Sequence, residues 1–393
     1  MTLSLIDSSP QAWMHLKQDI IDAAPRLGID KIRFASAEAF LSLKEILIEH
    51  RRKGYESGFE EPDIDKRVFP ERIFDQPRSI ISIAVAYPSK LPHPPQSVKG
   101  AYRGVISRSA WGEDYHRVLR NRLQQLEAFI SAKVTNARML SMVDTGALVD
   151  RAVAERAGMG WVGKNCAVIT PEWGSWVYLG EMITNLPFPV DTPIWDECGE
   201  CTICIDACPT GALVGPKQLN AQLCISYLTQ TKGLIEDEMK AKIGNRLYGC
   251  DTCQVVCPKN KSLNWTHQQE FQPEAELVKP LLIPLLQLTN QQFKAKYGKS
   301  AASWRGKTPI QRNAIISLGH FKDQSAIPIL KQLLLSDSRV VMRATAAWAL
   351  GQMRSEDAND GIEAALKIET EMQVILELHK AQAQLVQTKG NPS

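Results

Sequence analysis

Cys198-Gly-Glu-Cys201-Thr-Ile-Cys204-Ile-Asp-Ala-Cys208-Pro209 decides how this chain is read. Four thiols at x2, x2 and x3 spacing, closed by a proline, form a run that binds [4Fe–4S] clusters, the fourth thiol serving a second cluster where two are present. A second run, Cys250-Asp-Thr-Cys253-Gln-Val-Val-Cys257-Pro258, ends the same way but is one cysteine short. Cys224, between the runs, supplies the missing ligand. The set then closes. Cys198, Cys201, Cys204 and Cys257 hold one cluster, and Cys208, Cys224, Cys250 and Cys253 hold the other. Two zinc knuckles are the alternative, but zinc does not ask for Cys-x3-Cys-Pro endings. Cys166 is left over and reads as a small buried hydrophobe.

Eight of the nine cysteines fall within sixty residues, and none precedes Cys166. A disulfide scaffold would be short and cysteine-dense throughout, so this is a local cofactor site in a larger protein. A chain of 393 residues has room for about two to three domains. Its 44% hydrophobic and 23% charged residues exclude a mostly disordered chain. The net charge of +3 gives no bulk signal for nucleic acid or for acidic ligands, so any such signal must be local. The start, Met1 to Pro10, has neither a charged n-region nor a long apolar h-region. No run approaches the ~18 to 20 apolar residues of a membrane span. The chain reads as soluble and cytoplasmic, with no membrane partner.

Ahead of the cysteines, helix and strand signals alternate. Helical spacing covers Trp13 to Ala24, Ala37 to His50, Asp114 to Ala132, and Ala147 to Ala157 before Gly158. Strands are expected at Asp30 to Ala35, Ser79 to Tyr87, Arg138 to Val143, Ala167 to Thr170 and Trp176 to Thr184. The alternation argues an α/β or mixed α+β domain, with room for an antiparallel edge. After Leu277 the character changes again. Two apolar helices, each ending in Leu-Gly (Leu318-Gly319 and Leu350-Gly351), are each followed by a second helix. The period of about 32 suits HEAT-like helical pairs, and two such pairs need other parts of the protein to pack on.

Three features ahead of the cysteines invite chemical readings. Gly158-Met-Gly160-Trp-Val-Gly163 fits G-x-G-x-x-G, yet a helix precedes it and a strand follows, the reverse of a dinucleotide site. Asp114-Tyr-His116 begins like the cobalt-ligating Asp-x-His-x-x-Gly motif, but Leu119 stands where the glycine should be, and His116 reads as a helix-surface residue. Asp144, in Met142-Val-Asp-Thr-Gly146, lies where a strand gives way to a helix. That is a usual place for active groups and an equally usual place for a plain N-cap.

Taken together, Val143-Asp-Thr-Gly146, Arg151 to Gly158 with Gly163-Lys-Asn165, the Cys198 run, Cys224-Ile-Ser-Tyr-Leu-Thr-Gln-Thr-Lys-Gly233 and Gly244 to Cys253 resemble the epoxyqueuosine reductase family over nearly the whole chain. The resemblance implies reduction of epoxyqueuosine to queuosine at the wobble position of tRNA, with base-off cobalamin and two [4Fe–4S] clusters as cofactors. It implies Asp144 as proton donor, with a carboxyl raised by burial under the corrin. Arg67, Ser107, Asp144, Val168, Leu179, Ser226 and Gly233 would line the cobalamin. For Arg67 the plainer reading is an ion pair with a neighbour such as Asp63. The implied domains are an N-terminal α/β cobalamin-binding domain (1–189), a ferredoxin-like dicluster domain (190–262) and a HEAT-like helical domain binding tRNA (263–393). A monomer fed by an external one-electron reductant completes the expectation.

From Leu277 to Lys322 there is no acidic residue, while eight lysines and arginines are present. Such a one-signed stretch suits a phosphate backbone partner. Lys232, Arg305, Lys307 and Arg312 are the expected contacts to the anticodon stem-loop, with Trp304 suited to unstacked loop bases. Two rival readings are a reductive dehalogenase, which shares the cofactor class, and a non-enzymatic dicluster electron carrier. The first has no use for the basic repeat tail. The second leaves Asp144 unexplained.

Overall fold

The structure, a computed structural model, describes residues 9–389, and the side chains of 385–389 are outside the description. The start of the segment read for a leader, Met1 to Ser8, therefore lies outside the described residues. The chain forms two compact units, each assembled from separated stretches: 1–90, 113–224 and 251–272 in the first, and 91–112, 225–250 and 273–393 in the second.

In the first unit the main helices are α1 (Pro10–Ala23), α2 (Leu41–Arg52), α3 (Tyr115–Ser131) and α4 (Asp150–Arg156). Its main strands are β1 (Lys31–Ser36), β2 (Ser79–Ala86), β3 (Met139–Met142) and β4 (Val177–Thr184). They form one sheet in the order β1-β2-β4-β3, and every pairing in it is antiparallel. The mixed expectation holds, but it resolves to α+β rather than to parallel α/β. The cause is visible on β2, buried along its whole length. Ile81, Ile83 and Val85 face a core shared with Trp13, Leu16 and Ile20 of α1 and with Leu119, Leu123 and Leu126 of α3. Ile80 faces the opposite layer with Leu47 of α2 and Val153 of α4. A strand covered on both faces reads as a continuous apolar run, the pattern more common in parallel sheets.

In the second unit a short parallel pair joins Val105–Ile106 to Arg246–Tyr248. Around it lie α5 (Lys307–Phe321), α6 (Ile327–Ser336), α7 (Val340–Met353), α8 (Glu356–Leu366) and α9 (Met372–Lys389). The Leu-Gly pairs do not end their helices. Each helix runs two residues further and closes on a left-handed residue, Lys322 (φ 52°) or Arg354 (φ 53°). The glycines instead allow close helix approach. A Cβ on Gly319 would stand 2.6 Å from Trp348 Cζ3, and one on Gly351 would stand 2.8 Å from Ala381 Cβ. Both are closer than packed atoms tolerate.

Candidate functional site

Four cysteines of the first unit line one cavity of about 110 Å3: Cys198, Cys201, Cys204 and Cys257, with Lys164, Lys259 and Pro258 beside them. Local bonds set this arrangement. Cys198 N donates to Asp196 Oδ1 at 2.8 Å, and Lys164 Nζ donates to Gly199 O at 2.6 Å. On the other side Asn260 Nδ2 donates to Ser175 Oγ and Gln254 O, both at 2.8 Å, which pins the turn that ends the second run. Burial raises the Cys204 and Cys257 thiols, and their thiol neighbours raise them further. Bound iron relieves such crowding because it takes the thiolate form. Of the other four cysteines, Cys208, Cys224 and Cys253 belong to the first unit and Cys250 to the second. Cys166 is partly buried with its thiol raised by burial, which suits an inert thiol.

The glycine-rich decoy is settled by its surroundings. Gly158 follows α4, and Trp161–Val162 pairs antiparallel with Val168–Ile169. No helix opens on these glycines, so the phosphate-binding geometry is missing.

Asp144 stands just past the end of β3 with left-handed backbone (φ 55°). A tight turn follows, with Thr145 N donating to Val143 O at 2.5 Å. Asp tolerates this region better than most residues, yet it still costs roughly 1 kcal/mol. Asp144 is no N-cap. Helix α4 starts six residues later with Val149 at its cap, and Asp144 N donates to Asp150 Oδ2 at 2.9 Å. Its Oδ2 accepts from Tyr115 OH at 2.9 Å and meets His116 Nε2 at 3.1 Å. The other ring nitrogen of His116 lies 2.7 Å from Asp114 Oδ1, and Asp114 caps α3 by accepting from His116 N at 3.0 Å. Thus the residue read as a helix-surface histidine joins the site. The signal available was Asp114-Tyr115-His116 at a helix start, a cap that also fixes the ring.

In the chain by itself the Asp144 carboxyl is held down. Desolvation raises its carboxyl, but the bonds from His116 and Tyr115 and the His116 charge outweigh it, and the group sits below the usual carboxylate range. The side chain is 59% exposed, and the His116 and Tyr115 contacts together outweigh the desolvation it does feel. His116 loses some basicity to desolvation, yet Asp114 and Asp144 hold it up at about 9.

Beneath this group lies a second carboxyl pair. Glu181 on β4 is fully buried, and neither of its oxygens finds an N–H or O–H donor among the described residues. Burial and its neighbour Asp150 raise it well above the usual range, and burial with the Asp144 charge pushes Asp150 up to about 6. A proton held by the pair satisfies both groups. A raised carboxyl binds protons more tightly in the folded state, so its stabilisation is present at low pH and lost as pH rises through the folded value. Glu181→Gln is therefore expected to flatten the decline in melting temperature as pH rises above the ordinary carboxylate range. Parallel melting curves for the two proteins across that range would contradict the shared proton.

The remaining expected residues fall as follows. Arg67 pairs with Glu56, Nη1 to Oε1 at 3.7 Å, and not with Asp63 through its side chain; Nη1 is buried with no hydrogen-bond acceptor among the described residues. Val168 is buried in a small apolar cluster with Met159 and Val162, and Leu179 packs on its edge. Ser107, Ser226 and Gly233 belong to the second unit. There Ser107 N donates to Tyr248 O at 2.8 Å. Arg312 corrects the expectation of a direct phosphate contact. It is 1% exposed, and its guanidinium donates to the carbonyls of Leu228 (2.8 Å), Thr231 (2.8 Å) and Gly233 (2.6 Å). Arg305 Nε donates to Gln230 O at 3.2 Å, and Trp304 Nε1 to Gln230 Oε1 at 2.8 Å. Lys307 Nζ donates to Leu288 O at 3.0 Å. The Arg312, Arg305 and Trp304 bonds clamp the segment Leu228 to Gly233, leaving Lys232 exposed on it.

Clustered thiols, a strained carboxylate paired with histidine, and a helical repeat region define an iron–sulfur oxidoreductase with an appended interaction module. Residues 197–260 match the 4Fe-4S double cluster binding domain, residues 67–145 match Epoxyqueuosine reductase QueG, and residues 305–375 match HEAT repeats. The chain is 55% identical over 374 residues to the epoxyqueuosine reductase of Bacillus anthracis, covering 95% of this chain and 98% of that one. It is 54% identical to that of Bacillus subtilis, covering 93% and 95%. A crystal structure of an epoxyqueuosine reductase with an epoxyqueuosine-modified tRNA-Tyr stem loop superposes with a TM-score of 0.94 at 53% identity, covering 95% of this chain and all of that one. A Bacillus subtilis structure, described as having its catalytic aspartate loop swung out of the active site, gives 0.93 at 53% identity with the same coverage. The chain belongs to the epoxyqueuosine reductase family.

Proposed function

We infer that this chain reduces epoxyqueuosine to queuosine at the wobble position of tRNA, as the last step of that modification. The observation that carries the reading is its likeness, over nearly its whole length, to a relative solved with the modified stem loop. The dehalogenase and simple-carrier readings have no comparable support. Removing the epoxide oxygen as water breaks two C–O bonds, forms one C=C bond, and consumes two electrons and two protons.

Cys198, Cys201, Cys204 and Cys257 hold one cluster, as the shared cavity supports. Cys208, Cys224, Cys250 and Cys253 hold the other, on the spacing of the two runs. Electrons enter one at a time from an external reductant. Cobalamin, bound base-off, would supply a cobalt able to act on the epoxide carbon. The residues present fit such a group. Arg67 Nη1, ion-paired to Glu56 but without a hydrogen-bond acceptor among the described residues, suits the amide-bearing rim of a corrin, and Val168 and Leu179 suit its apolar face. Ser107, Ser226 and Gly233 are assigned to the same ligand. Asp144 delivers the proton, and the mobile aspartate loop described for the Bacillus subtilis relative supports placing the acid on a turn of this kind. The protein works as a monomer in the cytoplasm; among the described residues no helix is long and apolar enough to cross a membrane.

The tRNA stem loop meets the basic stretch, where Lys294, Lys296, Lys299 and Lys322 are exposed, and Trp304 is 50% exposed. Lys232, Arg305 and Lys307 add charge at the clamped segment, while Arg312 acts by holding that segment's carbonyls. Neutralising Arg305 and Lys307 together should weaken stem-loop binding and reduce the slope of log K against log salt by about 1 to 2. Binding that is unchanged across a salt titration would remove these two residues from the interface. The function itself is tested by nucleoside mass spectrometry of epoxyqueuosine-bearing tRNA after anaerobic incubation with reconstituted protein, reductant and cobalamin. A product one oxygen lighter, absent without cobalamin, is expected. No mass change despite intact clusters and bound cobalamin would overturn the reading.

A further inference from the structure

The reaction consumes protons, yet Asp144 is built to be a carboxylate. Tyr115 OH donates to its Oδ2 at 2.9 Å, and His116 Nε2 lies 3.1 Å from the same oxygen. Donors stabilise the charged form of a carboxyl and oppose its protonation, so the resting Asp144 has no proton to give.

The proton is one atom further back. The His116 ring lies between two carboxylates, with Nδ1 2.7 Å from Asp114 Oδ1 and Nε2 3.1 Å from Asp144 Oδ2. A neutral imidazole donates through one nitrogen only, and an imidazolium donates through both. With both carboxyls ionised, the two contacts are met together only by the protonated ring. Its position is overdetermined. Asp114 Oδ1 receives both the His116 backbone N–H and its ring N–H. Tyr115 stacks on the ring at 4.1 Å and on Tyr178 of β4 at 4.5 Å. The side chain is 20% exposed, which leaves a path for solvent to return the proton.

We propose that His116 is the resident proton store of the reaction, passing its Nε2 proton to Asp144 Oδ2 as Asp144 gives a proton to the departing epoxide oxygen, with Asp114 fixing the ring. This rests on the reading of Asp144 as the group that meets the substrate. In the transfer the Nε2–H bond breaks and an O–H bond to the oxygen leaving carbon forms. His116 becomes neutral, Asp144 ends as the carboxylate it began as, and no electrons move between them. Solvent then restores the imidazolium. His116 acts through Asp144 and is a positioning and proton-supplying residue.

The charged and titratable groups facing the ring set the pH range. Asp114 and Asp144 hold its proton. Tyr115 shares the Asp144 oxygen. Arg120, one turn along α3, bonds Thr145 Oγ1 at 2.9 Å beside the turn, and Asp150 with Glu181 lies beneath Asp144. The balance keeps His116 charged to about 9.

The test combines proton NMR of the His116 ring in the intact protein with single-turnover rates against pH. His116 should titrate near 9 in the unaltered protein and fall toward the ordinary histidine range in Asp114→Asn, which keeps the helix cap. His116→Gln should lower the rate by about 10²-fold or more, remove the alkaline fall of the pH profile, and leave stem-loop affinity within about twofold. A His116 ring that is neutral at pH 7, or a His116→Gln rate profile that matches the unaltered protein, would overturn the proposal. Asp144→Asn separates the two readings. If it is inactive while His116→Gln is fully active, only the proton store fails; if Asp144→Asn is fully active, the premise fails first.

Discussion

Replacing Cys257 by serine is expected to remove one cluster, halve the iron and acid-labile sulfide per chain, and take turnover below detection. Cys257 comes from the second cysteine run, yet it lines the same space as Cys198, Cys201 and Cys204 from the first. The pairing is specific enough to be wrong in a measurable way. Cys257→Ser and Cys198→Ser should leave the same residual cluster, with one reduced EPR spectrum between them, while Cys208→Ser should leave the other. If Cys257→Ser matches Cys208→Ser instead, the ligand sets are misassigned. Cys166→Ser provides the control, since a partly buried thiol outside both sets should leave iron and turnover unchanged. Turnover fails because the substrate needs two electrons, and a relay missing one station no longer delivers them at useful rates.

The other large effect falls on Asp144. Asp144→Asn should lower the single-turnover rate by about 10²- to 10⁴-fold, the usual span for losing a positioned proton-transfer group. Asparagine tolerates left-handed backbone nearly as well as aspartate, so the turn at φ 55° is retained and the change is confined to the proton. Cobalamin affinity, stem-loop affinity and iron content should stay as they were. An unchanged rate would move proton delivery elsewhere. A rate lost together with cobalamin binding would instead make Asp144 a group that holds the cofactor.

Both expectations have their roots in the sequence, but to different depths. The cysteine runs are local. Spacings of x2 and x3 place thiols on one short turn, and that geometry survives whatever the rest of the chain does. The main helices and strands of the first unit were legible for a related reason, since burial imposes its period on the residues that make it. Helix α3 shows this, with Val118, Leu119, Leu123 and Leu126 all turned to the core. The repeat tail was equally plain, although the meaning of its glycines was not. Gly319 and Gly351 looked like helix ends and prove to be points of helix contact, because a glycine at a C-cap and a glycine at a close crossing are the same letter.

Strand direction, the charge state of Asp144 and the fate of Arg312 were beyond that reach. The apolar run of β2 records burial on two faces and carries no information on whether its neighbours run parallel or antiparallel. A basic residue in a basic stretch looks like a phosphate contact until its burial is known, and Arg312 is spent on three backbone carbonyls. His116 stands 28 residues before Asp144, and only the packing of α3 beside the end of β3 brings the imidazole to the carboxylate. The sequence by itself determined the cysteine runs, the element types and the repeat tail, since these depend on neighbours within a few residues. The tertiary structure alone decided which charged groups Asp144 and His116 meet, because electrostatic interactions depend on distance in space and on exposure to water, neither of which is written along the chain.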